Sequence, residues 1–115
     1  MIAHSLRGDV FGPAQHMHGA TYIVDAVFYS DHLDSNNIVI DIGIAHKMLK
    51  DILAPLNYQN LDGLPELKGE NTTTEFLAKY IHDKLKQEAS SLFRGRIEVI
   101  LGESHVAWAS YAGEE

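Results

Sequence analysis

The run from His18 to Ser30 constrains this chain more than any other segment. His18, Ala20, Tyr22, Val24, Ala26 and Phe28 would share one side of an extended strand, with Ile23, Asp25, Val27 and Tyr29 on the other. A strand this long needs partner strands. Being largely apolar on both sides, it also needs a cover over each face.

The rest of the chain supplies only one of those covers. Met1 to Arg7 fits a short strand, Gly8 to Gln15 a loop around Gly12-Pro13, Asp31 to Asn37 a polar turn, and Ile38 to Asp41 a further short strand. Ile44, Met48 and Ile52 recur at four-residue steps beside Ala45 and Leu49, which predicts a helix over Gly43 to Ala54 that Pro55 stops. Pro55 to Gly69 is a long connection, of a length that is usually functional or mobile. Thr72-Thr73-Thr74-Glu75 reads as a capping box, with Thr72 as N-cap and Glu75 at the third position. It opens a second helix buried through Leu77, Ala78, Ile81 and Leu85. Arg96 to Gly102 and Val106 to Tyr111 close the chain as two strands.

The order ββααββ predicts an α+β fold, one four-stranded antiparallel sheet with both helices on one face. At 115 residues this is a single domain over 1–115, with no room for another layer. The second face of the sheet therefore calls for another subunit, and a homo-oligomer is expected.

Composition narrows the partners. Nine Lys and Arg stand against 16 Asp and Glu, a net charge of −7, and Lys84, Lys86, Arg94 and Arg96 form no continuous basic stripe. Nucleic acid is not an expected partner. The same acidity works against a triphosphorylated ligand unless a pocket concentrates the few cations. The apolar runs are strand-sized, so no membrane helix is expected, and Met1 to Arg7 lacks the apolar core of a secretory signal. Cysteine is absent, which removes disulfides and thiolate chemistry and fits a cytoplasmic location.

Six short motifs fall in order on this plan: Ala3-His4; His18-Gly19-Ala20-Thr21-Tyr22; Ile40-Asp41-Ile42; Leu56-Asn57-Tyr58-Gln59-Asn60-Leu61; Asn71-Thr72-Thr73-Thr74-Glu75; and Leu101-Gly102-Glu103-Ser104 followed by Ala109-Ser110-Tyr111. Together they resemble the 6-pyruvoyl-tetrahydropterin synthase and 6-carboxytetrahydropterin synthase family. The resemblance implies the T-fold, in which three subunits join their sheets into a barrel and two rings stack into a hexamer. It also implies pterin sites between subunits.

The family's chemistry, carried over position by position, is incomplete here. Its reaction uses a zinc ion on three histidines, a cysteine base and an Asp–His proton relay. His4 and His18 match two zinc ligands, but the third falls on Ala20, the cysteine on Ala14, and the Asp–His pair on Asn57 and Tyr58. His16 shares the strand face of His18, yet a two-residue step moves an imidazole by about 6–7 Å. No resident cofactor is expected; His4, His18 and His16 are the candidate ligands if zinc is bound.

The recognition residues remain. Glu103 matches the glutamate that receives the pterin's amino group and ring N–H, a pairing of one carboxylate with two parallel donors. Thr73 and Thr74 match ligand-contacting residues, and His105 is the nearest substitute acid–base group. His32, His46 and His82 are read as surface or interface residues. The expected function is a pterin-binding homologue with a degenerate active site, inactive in the family reaction. One alternative is an active carbon–oxygen lyase on dihydroneopterin triphosphate or a related pterin, with a site rebuilt from His4, His16, His18 and His105. The other is a non-enzymatic oligomeric carrier or regulator.

Overall fold

A computed structural model describes residues 1–113. Five strands and two helices follow in chain order: β1 (Ile2–His4), β2 (His18–Ala20), β3 (Ile23–Tyr29), α1 (Ile42–Leu53), α2 (Thr74–Ala89), β4 (Arg96–Ser104) and β5 (Ala107–Tyr111). Short 3-10 turns lie at Asp9–Gln15 and Leu61–Gly63. The expected long strand is interrupted at Thr21 and Tyr22, and the sheet divides into β1-β2 and β3-β4-β5, antiparallel throughout. The division has a local cause. β1 pairs only with His18 to Ala20, and β4 takes over only from Ile23, so the segment exchanges one partner for the other in between.

Two boundaries differ from the sequence expectation. Ile38 to Asp41 forms no strand. Instead Asp41 is the N-cap of α1, its Oδ1 accepting from Gly43 N at 2.8 Å and Ile44 N at 3.0 Å. The N-cap of α2 is Thr73 rather than Thr72, with Thr73 Oγ1 accepting from Phe76 N at 3.1 Å. Glu75 is then too early in the helix to complete the expected box.

The core lies between the sheet and α2. Ile97, Val99 and Leu101 alternate inward from β4 and meet Leu77, Ala78, Ile81, Leu85 and Ala89. The long connection joins them through Leu56, Leu61 and Leu67, all buried, which ties it down along its length. His82 departs from the surface reading. It is buried on α2 with its ring edge-on to Tyr111, its Nδ1 3.0 Å from Asp83 Oδ1, and no hydrogen-bond partner for Nε2 among the described residues. The helix-free face of the sheet is uncovered: Ile23 and Trp108, either side of Gly102 in the ladder, are 72% and 65% exposed. No helix among the described residues is long and apolar enough to cross a membrane.

Candidate functional site

The short β1-β2 ladder places His4 directly opposite His18, and their rings meet edge-on with centroids 4.6 Å apart. Each imidazole is held through Nδ1. His4 Nδ1 shares a hydrogen bond with Oγ1 of the fully buried Thr72 at 2.9 Å, and His18 Nδ1 lies 2.8 Å from the carbonyl oxygen of His16. A carbonyl only accepts, so Nδ1 of His18 carries the proton and Nε2 keeps its lone pair in the neutral ring. Burial lowers the pKa of His4 and neighbouring His18 lowers it further, while Thr72, Asp62 and Glu103 oppose the shift. His4 therefore favours the neutral form.

Glu103 reaches this region through a defect in the sheet. Gly102 pairs with Trp108 and Ser104 with Ala107, which leaves Glu103 as the extra residue of a β-bulge. Bulges bend a strand and re-aim the side chain they carry. The β3-β4 register, with Gly102 opposite Ile23, brings Glu103 level with Tyr22, and its charge acts on both Tyr22 and His4. Burial raises the Tyr22 phenol above its usual value. Thr74, within hydrogen-bond reach, opposes that rise, and the carboxylates of Glu103 and Glu75 add to it. The three threonines before α2 thus divide their work: Thr72 holds His4, Thr73 caps the helix, and Thr74 meets Tyr22. Asp62 completes the wall, accepting from Ser5 N at 3.0 Å and from Ser5 Oγ at 2.5 Å.

The positions expected to carry proton and metal chemistry stay close by. The carbonyl of Ala14 accepts from Leu6 N at 3.0 Å, just beyond His4 on the same segment. The connection bearing Asn57 and Tyr58 runs beside β1, with Tyr58 N donating to the Met1 carbonyl at 2.7 Å and Ala3 N to that of Gln59 at 3.0 Å. Tyr58 adopts φ 60° and is 79% exposed. His105 sits in the exposed β4-β5 turn, two residues past Glu103. Ala20, opposite Ile2, is a buried core methyl at 7% exposure, and His16 is exposed. Among the described residues no three His, Cys, Asp or Glu side chains converge as a metal site. His4 and His18 offer two imidazoles in contact where the resemblance implies three ligands.

Residues 1–114 match the sequence model of the 6-pyruvoyl tetrahydropterin synthase family. The chain belongs to this family. Among solved structures, the 6-pyruvoyl tetrahydropterin synthase of Caenorhabditis elegans superposes with a TM-score of 0.84 at 22% identity. The match covers 98% of this chain and 89% of that one, and supports the fold. No curated protein sequence matches the chain significantly. As a member of the 6-pyruvoyl tetrahydropterin synthase family it keeps the T-fold arrangement of two helices on antiparallel strands.

Sequence reasoning singled out His4, His18, Thr73, Thr74 and Glu103. It did not find Tyr22, Thr72 or Asp62 as parts of the same cluster. Tyr22 closes the His18-to-Tyr22 motif, so its signal was present, although alternation alone made it one more strand residue. Thr72 is expected as the N-cap but holds His4 instead, and Asp62 returns to Ser5 only because the long connection folds back on β1.

Proposed function

We propose that this chain binds a pterin-like, guanine-edged heterocycle at sites shared between copies of itself, without performing the family's proton transfers. The observation that carries this reading is the bulged Glu103, whose carboxylate acts on His4 and Tyr22 while Thr74 closes the same side. A carboxylate there can accept both the exocyclic amine and the adjacent ring N–H, two parallel charge-assisted bonds that select the edge they meet. Tyr22 and Thr74 add polar atoms beside it.

The proton chemistry has lost its groups. Ala14 has no ionisable side chain, Asn57 has an amide in place of a carboxylate, and a phenol stands at Tyr58 where the relay has an imidazole. The chain is proposed to work without a resident zinc, as an oligomer of the barrel type.

The deciding measurement is binding of dihydroneopterin, followed by fluorescence and thermal shift, in the wild type and in Glu103→Gln. The amide loses the charge and one of two equivalent acceptors, so affinity should fall by roughly 10- to 100-fold, the cost of a charge-assisted pair. Equal affinity in the two proteins would remove Glu103 from the site.

A second reading, a lyase with a rebuilt centre, is favoured by one observation. His4 and His18 are in contact and fixed through Nδ1, as a general acid–base pair would need to be. Release of triphosphate from dihydroneopterin triphosphate, above the rate without protein, would establish that reading in place of the first.

A further inference from the structure

The core holds a cavity next to the histidine pair. Its volume is about 240 Å³, and it lies where the sheet, the two helices and the long connection meet. Ile2, Leu56, Leu61, Leu77, Ile81 and Leu101 line it, and each is less than a tenth exposed. The cavity stands beside the cluster around His4 rather than within it. On β1, Ile2 lines the cavity, and His4, two residues on, meets Thr72. On β4, Leu101 lines it, and Glu103 is the bulged residue two further on.

The walls decide what can enter. Of the side chains that line the cavity, only those of Tyr22 and Asn57 carry nitrogen or oxygen. The Tyr22 hydroxyl is met by Thr74. Asn57 is exposed, and its Oδ1 accepts from the Met1 amino group at 3.1 Å. Met1 is itself 58% exposed, so the opening lies on the side of Met1 and Asn57, away from the six buried residues. A water molecule settles in a protein interior when it finds about 2–4 polar partners, and the inner side chains offer it none. An apolar guest instead gains dispersion contacts from every wall. Aliphatic and aromatic walls around about 150 Å³ are enough to admit benzene, so the larger space here has room for a substituted or fused ring.

We propose that this cavity is a binding site for a small uncharged apolar molecule, between toluene and indole in size, that enters beside Asn57. The site does not depend on the pterin reading. It shares only Tyr22 with the side chains assigned to that ligand, and its walls select by shape and lack of charge rather than by a carboxylate.

The test is a titration of toluene, and separately of indole, into the full chain as it assembles, read by thermal melts. A saturable rise in Tm of about 2–6 °C is expected at about tenfold excess over Kd. Inositol, a ring covered in hydroxyls, should give no rise, because those groups would lose water without finding partners. Val24 lines the cavity from β3 and packs towards the core. Val24→Phe puts a ring into that space and should weaken toluene binding at least about tenfold. Isotope-filtered NMR on the wild type, which does not need the variant to fold, should place toluene protons against the methyl groups of Leu56, Leu77 and Ile81. The inference is overturned by the absence of a saturable rise, or by toluene contacts to other methyl groups alone. A folded Val24→Phe that binds toluene as tightly as the wild type would overturn it as well.

Discussion

His4 is the residue on which the site's electrostatics turn, and it makes stability depend on pH in a definite sense. Burial and His18 hold its pKa below the ordinary 6.5. As pH falls through about 6.5 the unfolded chain takes up a proton that the folded chain refuses, so the unfolded state binds more protons and stability drops. Above that window both states are neutral and the effect vanishes. Thermal melts between about pH 5 and 8 should therefore show a decline on the acid side. His4→Gln should flatten that decline, and an unaltered slope in the variant would assign it to another group. A second substitution tests the metal ligands. Ala20 stands on the face of His18, opposite Ile2, and is the position to which the resemblance assigns the third imidazole. Ala20→His should let the chain hold close to one zinc per subunit, while the wild type, purified without a His tag or added zinc, holds far less. Without metal the variant should be less stable by about 1–3 kcal/mol, because it overfills a buried position, and zinc should recover part of that loss. Metal analysis with paired melts in chelator and in zinc reads both effects.

The strands and helices place these groups, and their weak points lie where backbone meets backbone. A Cβ on Gly95, just before β4, would lie 2.2 Å from the Tyr29 carbonyl oxygen and 2.5 Å from the Phe93 ring. The carbonyl belongs to the end of β3 and cannot yield without disturbing the ladder, so Gly95→Ala should cost more than about 2 kcal/mol in a urea melt. The threonines before α2 should separate by role. Thr73→Ala loses the cap and about 1 kcal/mol. Thr72→Val keeps the cap but strands the buried Nδ1 of His4, at about 1–3 kcal/mol. Equal pH profiles for the Thr72 and Thr73 variants would contradict that division. These contrasts also mark what periodicity can tell. Both helices, the inward stripe of α2 and the alternation of β4 were legible because each is a local pattern with one solution. The change of partner at Thr21 and Tyr22 was not, since it depends on the length of β1 and the register of β4, both remote in sequence. The cap expected at Thr72 falls on Thr73, because three adjacent threonines all have the right side chain and only the remote His4 claims the first of them. The burial of His82 likewise depends on Tyr111, far along the chain. His4, His18 and Glu103 were readable as motif residues, whereas the bulge that aims Glu103 leaves no mark in the residues themselves.

The isolated subunit has more surface than its size calls for. Its accessible area is 7696 Å², where a compact monomer of this mass exposes about 6,300 Å². Its radius of gyration is 15.5 Å against about 13 Å for a globular chain of equal length, and its longest extent is 52 Å. Part of that surface lies on the open side of the sheet. Ile23 and Trp108 face outward on the side of the sheet that neither helix covers, with Gly102 between them. We propose that further copies cover Ile23 and Trp108 on this face, whose other positions include Asp25, Glu98 and Ser110, and so bring other elements against the bulge at Glu103. Sedimentation should accordingly find the wild type larger than a monomer at micromolar concentration. Trp108→Glu should shift it towards monomer, since losing a buried indole and adding a charge removes about 2–4 kcal/mol from each contact. The two surfaces can be told apart by crossing the measurements. If sites are shared, Trp108→Glu lowers both assembly and dihydroneopterin affinity, whereas Glu103→Gln lowers affinity alone and leaves the oligomer intact. A Trp108→Glu monomer that binds as well as the wild type would place the whole site within one subunit.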